Sequence, residues 1–68
     1  MDTHELVVNG EKRASAARTL SDLLAELALA EQAVVAELNG CVIDRKDYAA
    51  TCLAAGDVVE LIRFVGGG

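Results

Sequence analysis

Proline and tryptophan are absent from this 68-residue chain, and cysteine, aromatic residues and positive charge are scarce. Without proline, the turns are left to Asn-Gly and Gly-Asp pairs, which supply the positive φ that tight turns need. Tyr48 and Phe64 are the only aromatic residues, so the core is expected to be aliphatic, built from Leu, Val, Ile and Ala. Cys41 and Cys52 fit neither Cys-x-x-Cys redox spacing nor a zinc pattern, and the single His4 completes no ligand set. The two thiols are expected to pack as small apolar groups in or beside the core. No apolar run approaches the roughly 20 residues of a membrane span, and no basic leader precedes one, so a cytoplasmic setting with reduced thiols is expected. Six Lys and Arg against eleven Asp and Glu give a formal net charge of -5. That balance argues against nucleic acid, whose phosphates demand a cationic surface, and suits a partner with a basic docking surface.

What is present is a small apolar domain. At 53% hydrophobic residues and 68 positions, the chain is one domain near the lower limit for folding without metal or disulfide. Leu6-Val7-Val8 followed by Asn9-Gly10 reads as a strand entering a two-residue hairpin turn, with a return strand over about Lys12 to Ala17. Thr19-Leu20-Ser21-Asp22 has the form of a capping box, and Leu20, Leu23, Leu24 and Leu27 make one apolar stripe on the helix beyond it. A second hairpin follows, Val34 to Leu38, Asn39-Gly40 and Cys41 to Ile43. Asp44 is expected to cap a short turn through Tyr48, and Thr51-Cys52-Leu53 to form a brief strand before the Gly56-Asp57 turn. Val58 to Val65 is the longest β-branched run. One helix set against a mixed sheet makes an α+β fold.

The final strand carries the first functional signal. Alternation puts Val58, Glu60, Ile62 and Phe64 on one face, and Val59, Leu61, Arg63 and Val65 on the other. Glu60 is costly to bury unpaired, so Val59 and Leu61 are expected in the core, leaving Ile62 and Phe64 outside as an apolar partner-docking surface with Glu60. The second signal is Gly66-Gly67-Gly68 directly behind that strand. Residues 1–65 are expected to form the domain and 66–68 a mobile tail, since three glycines bury no apolar surface and cost about 1–2 kcal/mol each to order. Such a side-chain-free stalk reaches roughly 10 Å and can carry the Gly68 carboxylate into a narrow channel of another protein.

Glu37-Leu38-Asn39-Gly40, then Ala55-Gly56-Asp57-Val58-Val59-Glu60-Leu61-Ile62, then Val65-Gly66-Gly67-Gly68, in this order and at this length, resemble the ThiS family of sulfur carriers in thiamine thiazole biosynthesis. The resemblance spans nearly the whole chain. It implies a β-grasp, or ubiquitin-like, fold with four to five strands packed on one α-helix. It also implies that Gly68 is adenylated and converted to a thiocarboxylate. The chain has no phosphate loop and no Gly-x-Gly-x-x-Gly fingerprint and binds no cofactor of its own on this reading. ATP and Mg²⁺ would come with a ThiF-like adenylating enzyme, and a ThiG-like thiazole synthase would take the sulfur. The protein would then be a co-substrate, monomeric when free, and not an enzyme. Two departures stand out, Asp44 before Arg45 where many members place proline, and a helix without a terminal glycine cap. Two other readings share the fold, the small subunit of molybdopterin synthase and a ubiquitin-like modifier joined to lysines. The former tends to be longer with prolines near the tail. A plain binding module with an inert tail is the remaining alternative.

Overall fold

The computed structural model describes residues 2–64. The chain runs β1 (His4–Val8), β2 (Glu11–Ser15), α1 (Leu20–Glu26), a 3-10 turn (Glu31–Ala33), β3 (Val34–Leu38), β4 (Cys41–Ile43), a second 3-10 turn (Arg45–Ala50) and β5 (Val58–Arg63). The five strands form one sheet in the order β2-β1-β5-β3-β4. β1 and β5 run parallel and every other pair is antiparallel. The last strand therefore lies in the middle, and the sheet holds α1 against one face, the β-grasp arrangement expected.

Both hairpins turn through Asn-Gly with positive φ at each central residue, 49° and 82° at Asn9-Gly10 and 51° and 87° at Asn39-Gly40. This is the backbone of a two-residue turn whose twist matches the flanking strands. The asparagines do more than turn. Asn9 donates its backbone amide to the Val59 carbonyl and accepts the Leu61 amide on Oδ1 at 2.7 Å. Asn39 accepts the Val58 amide on Oδ1 and donates Nδ2 to Asp57. Each hairpin tip thus grips β5 from one side.

At the start of α1 the Thr19 hydroxyl accepts the Asp22 amide, and the Asp22 carboxylate accepts the Thr19 amide, completing the capping box. The far end closes without glycine. Ala28 takes φ 57°, its amide bonding to the Ala25 carbonyl and the Leu29 amide to the Leu24 carbonyl. These are the two bonds of a Schellman motif, in which the left-handed residue is usually glycine because a Cβ is disfavoured there. Ala28→Gly should accordingly stabilise the protein by about 0.5–1 kcal/mol, seen as a rise of several degrees in melting temperature, about 4 °C for a domain of this size. An unchanged or lower transition would show that the left-handed alanine carries no strain.

The core comprises Leu6, Ala17, Leu20, Leu23, Leu24, Val34, Ala36, Tyr48, Leu53, Val59 and Leu61. It departs from the aliphatic expectation at Tyr48, which is buried because its hydroxyl finds the Val34 carbonyl at 2.9 Å. Leu27, the last residue of the apolar stripe, is only partly buried, as are Val8, Leu29, Leu38 and Ile43. β2 presents charge at the sheet edge, and its one buried polar residue, Ser15, accepts the Ala17 amide and donates to Glu26. Desolvation pushes the Glu26 carboxyl up, but hydrogen bonds from Ser15, Arg13 and the Ala16 amide outweigh it and hold the group below its ordinary pKa.

Four expectations are corrected. Residues 51–53 form no strand; Cys52 makes a single bridge with Thr19, where the Leu20 amide meets the Thr51 carbonyl and the Leu53 amide the Arg18 carbonyl. That segment pairs with the entrance to the helix, so it cannot join the sheet. Asp44 makes no side-chain cap; its carbonyl accepts the Asp47 amide instead. Cys41 and Cys52 are both exposed, one opening the edge strand β4 and the other on the outside of that bridge. Finally, β2 ends at Ser15 and β5 at Arg63, after which the Phe64 amide bonds to the Ala33 carbonyl. Among the described residues no helix is long and apolar enough to cross a membrane.

Candidate docking face and the root of the tail

Strand parity places the side chains from Val58 to Phe64 as the sequence predicts, and Val65 lies outside the described residues. Val59 is fully buried and Leu61 is 8% exposed, whereas Ile62 and Phe64 are 53% and 57% exposed. Glu60 and Arg63 are exposed as well. Because β5 is central, its outward residues lie in the middle of the open sheet face and not on an edge. Val35 stands opposite Ile62, Glu37 opposite Glu60, and Val42 of β4 opposite Glu37. The result is an apolar surface around two carboxylates, ending at Phe64, the last described residue. Gly66, Gly67 and Gly68, the expected tail and reaction site, lie outside the described residues.

Val42, 65% exposed, and Glu37 belong to this face but do not stand out in the sequence. A signal for both existed. A two-residue Asn-Gly loop sets Leu38 against Cys41 and therefore Glu37 against Val42, so parity on β3 fixes the side from which Val42 projects.

On the opposite side of the sheet, a groove of about 350 Å³ lies between Val8, Leu27, Leu29, Leu61 and Arg63. Its rim is charged, with Glu11, Lys12 and Arg13 of β2 beside Arg63. His4 lies elsewhere, its Nε2 2.7 Å from the Ala17 carbonyl. Among the described residues no three His, Cys, Asp or Glu side chains converge as metal ligands. What the described residues leave open is the outer face, where Val42, Val58, Ile62 and Phe64 are exposed.

The family model described as "ThiS family" matches residues 4–68 of the chain. The sulfur carrier protein ThiS of Bacillus subtilis is 40% identical over 50 residues, covering 74% of this chain and 76% of that protein. Thiazole synthases of Paramagnetospirillum magneticum and Magnetococcus marinus are 38% identical over 65 residues and 40% over 62, covering 94% and 90% of this chain. The chain spans only 20% and 19% of the length of those two relatives. Among solved structures, the crystal structure of the thiamine biosynthesis protein ThiS from Geobacter metallireducens superposes with a TM-score of 0.79 at 37% identity, covering 94% of this chain and 99% of that one. With its β-grasp fold, its outward Ile62 and Phe64, and a family match that extends through the glycines to residue 68, this chain belongs to the ThiS family.

Proposed function

We propose that this protein is a sulfur carrier for thiamine thiazole formation, acting as a co-substrate whose Gly68 carboxylate is the reacting group. The observation that carries this reading is the match to the ThiS family through residue 68, on a fold whose open sheet face exposes Ile62 and Phe64. A carboxylate resists nucleophiles because it is negatively charged and has no good leaving group. Transfer of AMP from ATP to Gly68 removes the charge, releases pyrophosphate and installs AMP as the leaving group. A persulfide sulfur then displaces AMP, forming an acyl disulfide. A thiol reductant cleaves its S–S bond and leaves the thiocarboxylate. A ThiF-like enzyme supplies the ATP and Mg²⁺ site for the first step, and a ThiG-like thiazole synthase consumes the sulfur.

Partnership with a thiazole synthase is supported by the two relatives of that name, in which about a fifth of the length resembles almost all of this chain. A polypeptide of that kind holds a carrier-like segment at high effective concentration beside the rest of the molecule. In a separate carrier, the docking face does the same work through binding. Ile62, Phe64 and Glu60 are the residues we assign to it, shared in turn by both partners because one tail cannot enter two active sites at once.

Intact-mass measurement tests the reading. After incubation with the adenylating enzyme, ATP, a persulfide donor and a thiol reductant, one oxygen of the terminal carboxylate should be replaced by sulfur. A mass that never changes would refute the carrier role, and an isopeptide adduct on lysine would point to a modifier. The Cys41→Ala, Cys52→Ala double variant should gain the same sulfur, since both thiols are exposed and the thiocarboxylate requires neither. A folded double variant that stays unmodified would show that a thiol of this chain takes part.

A further inference from the structure

Glu37 on β3 and Glu60 on β5 are direct partners in the antiparallel ladder. Side chains so placed leave the same face with Cβ atoms roughly 4.5–5.5 Å apart, and like charges at that spacing repel. Among the described residues no salt bridge relieves them, and the one ion pair joins Arg13 to Glu26, beside the helix. The neighbours on the outer face are apolar instead. Val42 flanks Glu37 on β4, Val35 and Ile62 form the adjoining cross-strand pair, and Val58 precedes Glu60 on the same face. Of these, Val42, Val58 and Ile62 are among the large apolar residues exposed to solvent. Two carboxylates facing each other inside an apolar ring weaken the free sheet, and a cation delivered by a docked protein would reverse the sign of that interaction.

We propose that this face receives an arginine of the adenylating enzyme, its guanidinium seated between Glu37 and Glu60 while apolar neighbours on the partner cover Val35, Val42, Val58 and Ile62. This deepens the docking reading given above and rests on it. Arginine suits the seat better than lysine. Its planar fork presents five N–H donors and can bond to two carboxylates at once, and it is more weakly hydrated than an ammonium group. The apolar ring then excludes water, which strengthens the attraction over its value at an open surface. The chain's net charge of -5 would steer a basic surface towards it, but only the opposed pair specifies where the cation sits.

Calorimetric titration of the adenylating enzyme with four forms of the protein decides the matter. These are wild type, Glu37→Gln with Glu60→Gln, a control with Glu11→Gln and Asp47→Asn that removes the same charge elsewhere, and Phe64→Asp. The paired variant should melt at or above the wild-type temperature, because repulsion has been removed. It should nonetheless bind about thirtyfold or more weakly, as expected when one side of a desolvated charge pair is lost. The control should bind nearly as wild type. Equal weakening by the paired variant and the control would mean that bulk charge acts and that no seat exists. Wild-type binding by the paired variant, with Phe64→Asp impaired, would overturn the arginine seat and leave the docking face standing. Wild-type binding by Phe64→Asp would overturn the docking face and the seat together.

Discussion

Deleting Gly68, or adding one residue beyond it, should leave the melting transition unchanged and abolish adenylation. The reason is geometric. Each residue shifts the terminal carboxylate by about 3.3–3.6 Å along an extended stalk, and a misplacement of about 1 Å at a reacting atom can cost on the order of a hundredfold in rate. A glycine brings no side chain to a core, so neither change is expected to remove apolar burial. Pyrophosphate release in the presence of the adenylating enzyme measures the effect directly. Normal turnover on the extended or shortened chain would show that Gly68 is not the acceptor. Docking affinity should survive in both variants, which separates loss of chemistry from loss of binding.

The second large effect divides the two faces of β5. Leu61→Ala should cost roughly 2–5 kcal/mol of stability, because a side chain 8% exposed is replaced by one that leaves a cavity beside Val59 and the helix. For a domain whose total stability is on the order of 5–15 kcal/mol at most sizes, that loss is severe. Phe64→Asp should cost little, since the ring is 57% exposed, and should instead weaken binding to both the adenylating enzyme and the thiazole synthase by about thirtyfold, the value of one aromatic anchor. Thermal melts and titrations against each partner measure the two quantities independently. A Phe64→Asp protein that unfolds, together with a stable Leu61→Ala protein that fails to bind, would mean the faces are assigned the wrong way round.

Much of this face is legible in the amino-acid sequence. Period-two alternation from Val58 to Phe64 and the cost of burying Glu60 suffice to put Ile62 and Phe64 outside, because adjacent side chains of a strand cannot share a face. The Asn39-Gly40 hairpin already sets Glu37 against Val42, but that the two join the face of Glu60 depends on which strand lies beside β3. The thiols and Tyr48 run the other way. A cysteine is buried or exposed according to what packs over it, and Cys41 opens an edge strand and is exposed. Tyr48 looks amphipathic in sequence and becomes core only because the Val34 carbonyl, fourteen positions away, accepts its hydroxyl.

What the sequence determined alone is what neighbours within a turn can decide. Thr19 and Asp22 cap α1 from three residues apart, and the Asn-Gly pairs take positive φ through their own sterics. The tertiary structure decided everything that depends on chain segments meeting from afar. The bond from the Leu61 amide to Asn9 spans 52 positions, and with it β5 enters between β1 and β3. That insertion makes Glu60 face Glu37 and sets Ile62 beside Val35, while the bridge from Cys52 to Thr19 keeps residues 51–53 out of the sheet. Local propensity cannot encode such pairings, because a strand's own pattern says which side chains share a face but not which strand will lie against it.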